Sequence, residues 1–504
     1  MSQREQPNYE GGARAPRGGG GYYHQKRYEN SNGGRYNGSG SQHQDRPSYG
    51  GGEYRSQHRP QHHYSSGGPA VASGPEPVFS KPPCPAYTPE ELDDIKLPIE
   101  SFEDIKVSDN IKRGIFSYGF ERPSSIQAVA IKPVLSGKDV IAQAQSGMGK
   151  TGAFVIGTIG RIDENINATQ AIVIAHTREL ALQIDTVFRQ IGKYTGIRFG
   201  LCLKGIPIAE NIEKLTGARG GRPHVVIGTP GRVLDMLNRK DRETGHSVIN
   251  KSALRLMVVD EADELLNAST DSGESRRHHD GPEDEQTGFL DQLFNIFKCM
   301  PVDIQVCLFS ATMSPQFFET TKNFMREPLE VLVKTEELTL DGIKQYQVNV
   351  EQQEYKFDTL CELYGLLTIN QSIIYCNSLK SVEYLTHSLQ KNNFMVSAIH
   401  GHMTPQEREM TMAEFRNGKS RVLVSTDLLS RGIDVQQVSV VINYDVPGKI
   451  ESYLHRIGRS GRYGRKGVAI NFVTDTDKRR VHAIEQYYST MIDFLPANIQ
   501  NLLD

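Results

Sequence analysis

From about residue 100 the chain alternates short apolar, β-branched runs with longer amphipathic stretches. Val140-Ile141-Ala142, entered from Lys138-Asp139, is the first run. Ala171-Ile172-Val173-Ile174, Val225-Val226-Ile227, Leu256-Met257-Val258-Val259 and Gln305-Val306-Cys307-Leu308 follow at intervals that fit intervening helices. Apolar runs of this kind alternating with helices predict α/β domains with parallel sheets covered on both faces. A second series begins after about residue 340, with Ile373-Ile374-Tyr375, Val422-Leu423-Val424, Val440-Val441-Ile442 and Val468-Ala469-Ile470. Lys334-Thr335-Glu336-Glu337 and Asp341-Gly342 interrupt the pattern between the two series. The reading is two tandem α/β domains, 101–335 and 346–504, joined by a linker at 336–345.

Two segments fall outside this pattern. Residues 1–80 are rich in Gly, Tyr, Arg, Ser, Gln and His and carry almost no aliphatic side chains. Such a segment cannot bury enough apolar surface to offset its ordering entropy, which predicts a disordered tail, with 81–100 as a linker. Tyr22, Tyr23, Tyr28, Tyr36, Tyr49, Tyr54 and Tyr64 interleave with Arg17, Arg27, Arg35, Arg46 and Arg55. That mixture suits stacking on bases and weak self-association, and equally a solubilising tail. Residues 268–287 are polar and almost free of apolar side chains, which predicts a long exposed loop, most simply a tolerated surface insertion. His278 and His279 within it are a weak metal suggestion with no supporting ligand spacing.

Composition narrows the classes. The length allows about two to three domains at roughly 150 residues each. A formal net charge of −3 predicts no polyanion partner from bulk charge, so any nucleic-acid surface is local. The six cysteines (Cys84, Cys202, Cys299, Cys307, Cys361, Cys376) form no paired or metal-ligand spacing. Cys307 and Cys376 sit in strand-like runs and read as buried thiols in a reducing compartment. No apolar stretch is long enough for a bilayer and no apolar signal core opens the chain, so the expectation is a soluble, intracellular protein.

The chemistry concentrates in two motifs. Ala144-Gln145-Ser146-Gly147-Met148-Gly149-Lys150-Thr151 follows the first strand. Its glycines let backbone wrap a phosphate chain, Lys150 neutralises it, and the Thr151 hydroxyl can ligate magnesium. Asp260-Glu261-Ala262-Asp263 ends a later strand. Asp260 and Glu261 can hold that magnesium through water and activate an attacking water. Alone, the first motif is also a plain turn, and it begins with Ala144 where the general pattern has Gly. A run of acids alone is more often a solvated face. Both motifs in this order, at strand ends where open α/β sheets bind ligands, argue for nucleoside triphosphate hydrolysis.

Further motifs identify a family. Phe102 and Gly119-Phe120-Glu121-Arg122-Pro123-Ser124-Ser125-Ile126-Gln127 precede the phosphate loop. Thr177-Arg178-Glu179-Leu180-Ala181, Thr229-Pro230-Gly231-Arg232 and Ser310-Ala311-Thr312 complete the first domain. Ser425-Thr426-Asp427, Arg431-Gly432-Ile433-Asp434 and His455-Arg456-Ile457-Gly458-Arg459-Ser460-Gly461-Arg462 stand in the second. From about Ser101 to Asp504 the chain resembles a DEAD-box RNA helicase, with a Q motif at 101–129. Within that family it is similar to eukaryotic translation initiation factor 4A and its exon-junction paralogue. Glu337-Leu338-Thr339-Leu340-Asp341-Gly342-Ile343-Lys344-Gln345 and Tyr463-Gly464-Arg465-Lys466-Gly467 are among the stretches that carry this similarity.

The resemblance implies two RecA-like domains, ATP and magnesium as cofactors, and RNA-stimulated hydrolysis with local unwinding of short duplexes. A Gln amide both donates and accepts, so Gln127 suits an adenine edge. By resemblance Phe120 and Tyr463 stack on the base, Gly432 and Asp434 contact the nucleotide, and His455 couples the phosphates to the second domain. Arg459 and Arg462 suit developing γ-phosphate charge, as an arginine finger does. Asp263, Ser310 and Thr312 resemble the group that links hydrolysis to RNA binding. Thr177, Arg178, Gly231, Arg232, Arg408 and Thr426 match positions that hold the RNA backbone. Such contacts are sequence-blind and salt-sensitive.

The implied partners are RNA and either an initiation-factor scaffold or exon-junction-type proteins, with a monomeric chain in the cytoplasm or nucleus. An ATP-gated RNA clamp with little turnover needs the same residues and stays open as the alternative. The chain also departs from the family. His176 takes the usual Pro position, Lys204-Gly205 replaces a Gly pair, His402 the usual Asp, and Ser430 the usual Ala. These departures are expected to bear on RNA affinity and to leave the phosphate chemistry untouched.

Overall fold

The computed structural model describes residues 87–496, apart from Ser146, Arg219, 243–244, 268–287, 333–342, Thr368, 428–437 and 461–466. The first lobe holds β1 (Val140–Gln143), β2 (Ala171–Ile174), β3 (Phe199–Cys202), β4 (Val225–Gly228), β5 (Leu256–Asp260), β6 (Gln305–Ser310) and β7 (Leu329–Leu332). They form a parallel sheet in the order β3-β4-β2-β5-β6-β1-β7. The second lobe holds β8 (Ile343–Glu351), β9 (Ser372–Tyr375), β10 (Val396–Ile399), β11 (Val422–Ser425), β12 (Val440–Asn443), β13 (Gly467–Thr474) and β14 (Asp493–Phe494). Its order is β10-β11-β9-β12-β13-β8-β14, again parallel. Two parallel α/β sheets are the architecture expected. Ile343 to Gln345 of the stretch read as linker belong to β8.

Alternation along the strands of the first sheet builds two cores, one on each face. In β5, Leu256 and Val258 join one cluster while Met257 and Val259 join the other. The helix Lys150–Gly160 is buried almost all round and packs on the helix Ser125–Ser136. Its close approach depends on Gly157, where a Cβ would come within 2.5 Å of Val134. Ser124 and Gln127 form a capping box at the start of Ser125–Ser136, fixing the Gln127 side chain locally. Cys307 and Cys376 are buried free thiols, with burial pushing both pKa values up. Among the described residues no helix is long and apolar enough to cross a membrane.

The order of the first sheet positions the chemistry. β1 and β5 both flank β6, so the loops after β1 and β5 leave the same edge about two strand spacings, roughly 10 Å, apart. Asp139 locks this edge's opposite end. Its carboxylate accepts backbone N–H bonds from Val306 at 2.8 Å and Arg326 at 2.7 Å, while its carbonyl accepts from Leu329. Asp139→Ala strands the buried Val306 donor and the part-buried Arg326 donor and should cost about 1–3 kcal/mol, read as a lower urea midpoint. An unchanged midpoint would remove Asp139 from this role.

Candidate active site

The phosphate-binding loop is shaped by its glycines. Gly147 and Gly149 hold φ of +89° and +92°, a region most residues avoid. Gly149 then opens the helix Lys150–Gly160, aiming free N–H groups at the loop. Lys150 is buried and donates from Nζ to the Ala144 carbonyl. Ser124 and Gln127 clip the loop from below. Ser124 Oγ donates to Met148 O at 2.7 Å, and Gln127 Nε2 to Gly149 O at 3.2 Å. Gln127 Oε1 accepts from Ser124 N at 3.0 Å. Phe120 lies flat against Phe102 at 5.9 Å and edge-on to Tyr118 at 4.7 Å, beside Gly152 in the first turn of the helix.

Across from this loop, Asp260, Glu261 and Asp263 are all buried. Asp260 Oδ1 accepts the Glu261 N–H at 3.0 Å. Glu261 itself sits at φ +50°, a left-handed conformation that costs a side chain of this type of order 1 kcal/mol. Burial and the Glu261 charge push Asp260 up to about 7, while Lys150 opposes the shift. Burial also lowers the Lys150 pKa, and the three carboxylates hold it up. Arg459 of the second lobe is buried and close enough to Lys150 to lower its pKa further.

Asp263 joins the lobes. Its Oδ2 accepts Thr312 Oγ1 at 2.6 Å and lies 3.0 Å from His455 Nε2, with both partners buried. Ser310 Oγ donates to Thr312 O at 2.7 Å, and Arg459 Nε to His455 O at 3.1 Å. The four residues read as coupling groups are therefore brought together. Sequence reasoning missed Arg456, which is fully buried beside them. It forks onto Asp427, with Nη2 at 2.9 Å from Oδ2, and also donates to Asn377 and to the Asp445 carbonyl. Its place between two candidate residues of one motif was the available signal.

One expectation is corrected. His176 was read as clear of the phosphate chemistry, yet its Nδ1 stands 3.2 Å from Glu261 Oε2, and both side chains are buried. Strand register explains the meeting. Ile174 of β2 pairs with Val259 of β5, so two residues further on His176 comes opposite Glu261.

The expected RNA side is braced by protein groups. Thr177 caps the helix Arg178–Ile191, and Arg178 Nη1 donates to the Lys204 carbonyl at 3.1 Å. Arg232 Nη1 bonds Ile206 O and Asn211 Oδ1, each at 2.7 Å, and Gly231 is exposed beside it. Arg408 reaches across to Glu179 at 3.2 Å. Thr426 follows β11 and accepts from Ser425 Oγ through its carbonyl. Ser146, Ser430, Gly432, Asp434, Arg462, Tyr463, His278 and His279 lie outside the described residues.

Among the described residues no group of three His, Cys, Asp or Glu is arranged to hold a metal ion. The donor set still suits magnesium, which keeps several waters and takes one or two carboxylates plus phosphate oxygens. Three buried carboxylates here face two buried cations, Lys150 and Arg459. That leaves one negative charge for a cation or a proton to offset.

Residues 124–321 match the DEAD/DEAH box helicase family, and residues 355–464 the helicase conserved C-terminal domain. The chain is 49% identical over 404 residues to Eukaryotic initiation factor 4A of Drosophila melanogaster, covering 80% of this chain and 93% of that protein. It is also 49% identical over 406 residues to the ATP-dependent RNA helicase eIF4A of Mycosarcoma maydis, covering 80% and 91%. The solved structure of S. cerevisiae Dbp5 bound to RNA and ADP BeF3 is similar, with a TM-score of 0.69 and 33% identity over 80% of this chain and 97% of that one.

Asp260 supplies a test by pH. An acid whose pKa is raised from 3.8 to about 7 on folding stabilises the protein while protonated. That contribution is full below the ordinary value and is lost as pH rises through about 7. Without divalent metal, the urea midpoint should therefore fall on passing from below pH 7 to above it. Asp260→Asn, which cannot ionise, should flatten that slope. Parallel slopes in the two proteins would contradict the assignment.

Proposed function

The chain belongs to the DEAD/DEAH box helicase family, and from that membership we propose that it is an ATP-dependent RNA helicase acting in translation initiation. The observation that carries this reading is the Asp263 carboxylate, shared between Thr312 of one lobe and His455 of the other. A hydrolytic site built this way is complete only while the lobes are closed, so turnover depends on whatever favours closure. RNA held by both lobes is that ligand.

In this reading the adenine is read by Gln127 and lies against Phe120, with Tyr463 covering it. The backbone of Ala144, Gln145, Ser146, Gly147, Met148 and Gly149 cradles the phosphates, and Gly432 and Asp434 contact the nucleotide from the second lobe. Thr151 and Asp260 would hold magnesium, partly through water, and the bound ion would neutralise phosphate charge. Glu261 accepts a proton from the attacking water. The water oxygen bonds to the γ-phosphorus as the bond to the bridging oxygen breaks, releasing ADP and phosphate. Lys150, Arg459 and Arg462 stabilise the charge that develops on the transferred group. His455, Asp263, Ser310 and Thr312 tie this step to the RNA surface of Thr177, Arg178, Gly231, Arg232, Arg408 and Thr426.

RNA contacts through backbone positions make binding independent of sequence. Closure that bends one strand separates a short duplex locally, and hydrolysis releases it. The protein partners on this reading are those of an initiation factor, encountered in the cytoplasm by a monomer. Steady-state ATP hydrolysis with and without single-stranded RNA tests the proposal. RNA should stimulate turnover strongly, and Glu261→Gln should reduce it by about a hundredfold or more. A Glu261→Gln protein as active as the unmodified chain would overturn the mechanism. ATP-dependent RNA retention without turnover would favour the clamp.

A further inference from the structure

We propose that His176 is a positioning residue for hydrolysis, holding the Glu261 carboxylate by donating from Nδ1 to Oε2. The inference rests on the reading of Glu261 as the group that activates water. Three observations converge on it. His176 Nδ1 is 3.2 Å from Glu261 Oε2. Both side chains are buried, so water competes little for either atom. Glu261 is held at φ +50°, which fixes where its carboxylate leaves the backbone.

A carboxylate has two oxygens and free rotation about its last bond. A donor fixed on one oxygen leaves the other aimed at a single place. The neighbouring carboxylate favours the tautomer with its proton on Nδ1. In this structure the two atoms are close without the alignment of a hydrogen bond, and catalytic hydrogen bonds that are poorly aligned in the free protein tighten when the reacting groups are in place. Strand register makes the arrangement inherent in the fold, since β2 and β5 run side by side in parallel. The residue acts through Glu261 and touches no substrate, so its effect belongs to the chemical step.

The test uses the full chain with His176→Asn, His176→Gln and His176→Leu. Asn carries an N–H donor near the Nδ1 position, Gln carries one near Nε2, and Leu carries none. RNA-stimulated kcat should fall about tenfold for His176→Leu, with KM for ATP and RNA affinity within about twofold. His176→Asn should recover most of that loss and His176→Gln little of it. The Asn and Gln proteins decide the matter even where the Leu protein folds poorly. Equal losses in Asn and Gln, a change confined to KM or RNA affinity, or no change at all would overturn the proposal. Glu261→Gln, assayed alongside, separates the two levels. If it retains full activity, the reading of Glu261 itself fails. If it loses activity while every His176 variant stays intact, only the role of His176 fails.

Discussion

The shared Asp263 carboxylate is the constraint on which the rest of this structure depends. One oxygen receives the Thr312 hydroxyl from its own lobe and stands against His455 from the other. All three side chains are buried, so the contact is made away from competing water. Thr312 follows β6, His455 lies in the last turn of the helix Ile450–Ile457, and Asp263 lies in the first turn of the helix Ala262–Asn267 that follows β5. A single oxygen therefore ties two strand ends of one sheet to a helix on the other. On the proposed mechanism, this is where nucleotide state and lobe closure meet.

Around it the site is a balance of buried charge. Asp260, Glu261 and Asp263 face Lys150 and Arg459, the last contributed by the second lobe. Bringing like carboxylates together in a desolvated place drives one of them toward its neutral form, and Asp260 carries that shift. A site poised in this way has a place for added positive charge. Arg456 plays a supporting part, binding Asp427, Asn377 and the Asp445 carbonyl beneath the segment that carries His455 and Arg459. The geometry of the reactive residues is thus maintained by a buried arginine whose carboxylate partner, Asp427, stands partly exposed at the edge of the site.

Much of this was legible in the residue pattern, and what escaped did so for physical reasons. The central strands β1, β2, β4, β5, β6, β9, β11, β12 and β13 are buried nearly throughout and read as continuous apolar runs. The strands that went unread, β3, β7, β8, β10 and β14, lie toward the edges, where partial cover mixes polar residues into the run. The loop and acid motifs were visible because their spacing along the chain carries their chemistry. His176 was visible only as an unusual residue. Its contact with Glu261 is set by the adjacency of β2 and β5, which strand order decides and local sequence does not record.

A double-mutant cycle across the lobes probes the dependence most directly. RNA-stimulated ATP hydrolysis would be measured for Asp263→Asn, His455→Asn and the two combined. If one contact carries the coupling, either change removes most of the stimulation and the double variant is no worse than the poorer single one. Losses that multiply in the double variant would mean that Asp263 and His455 act separately, and that closure reaches the hydrolytic site by another route.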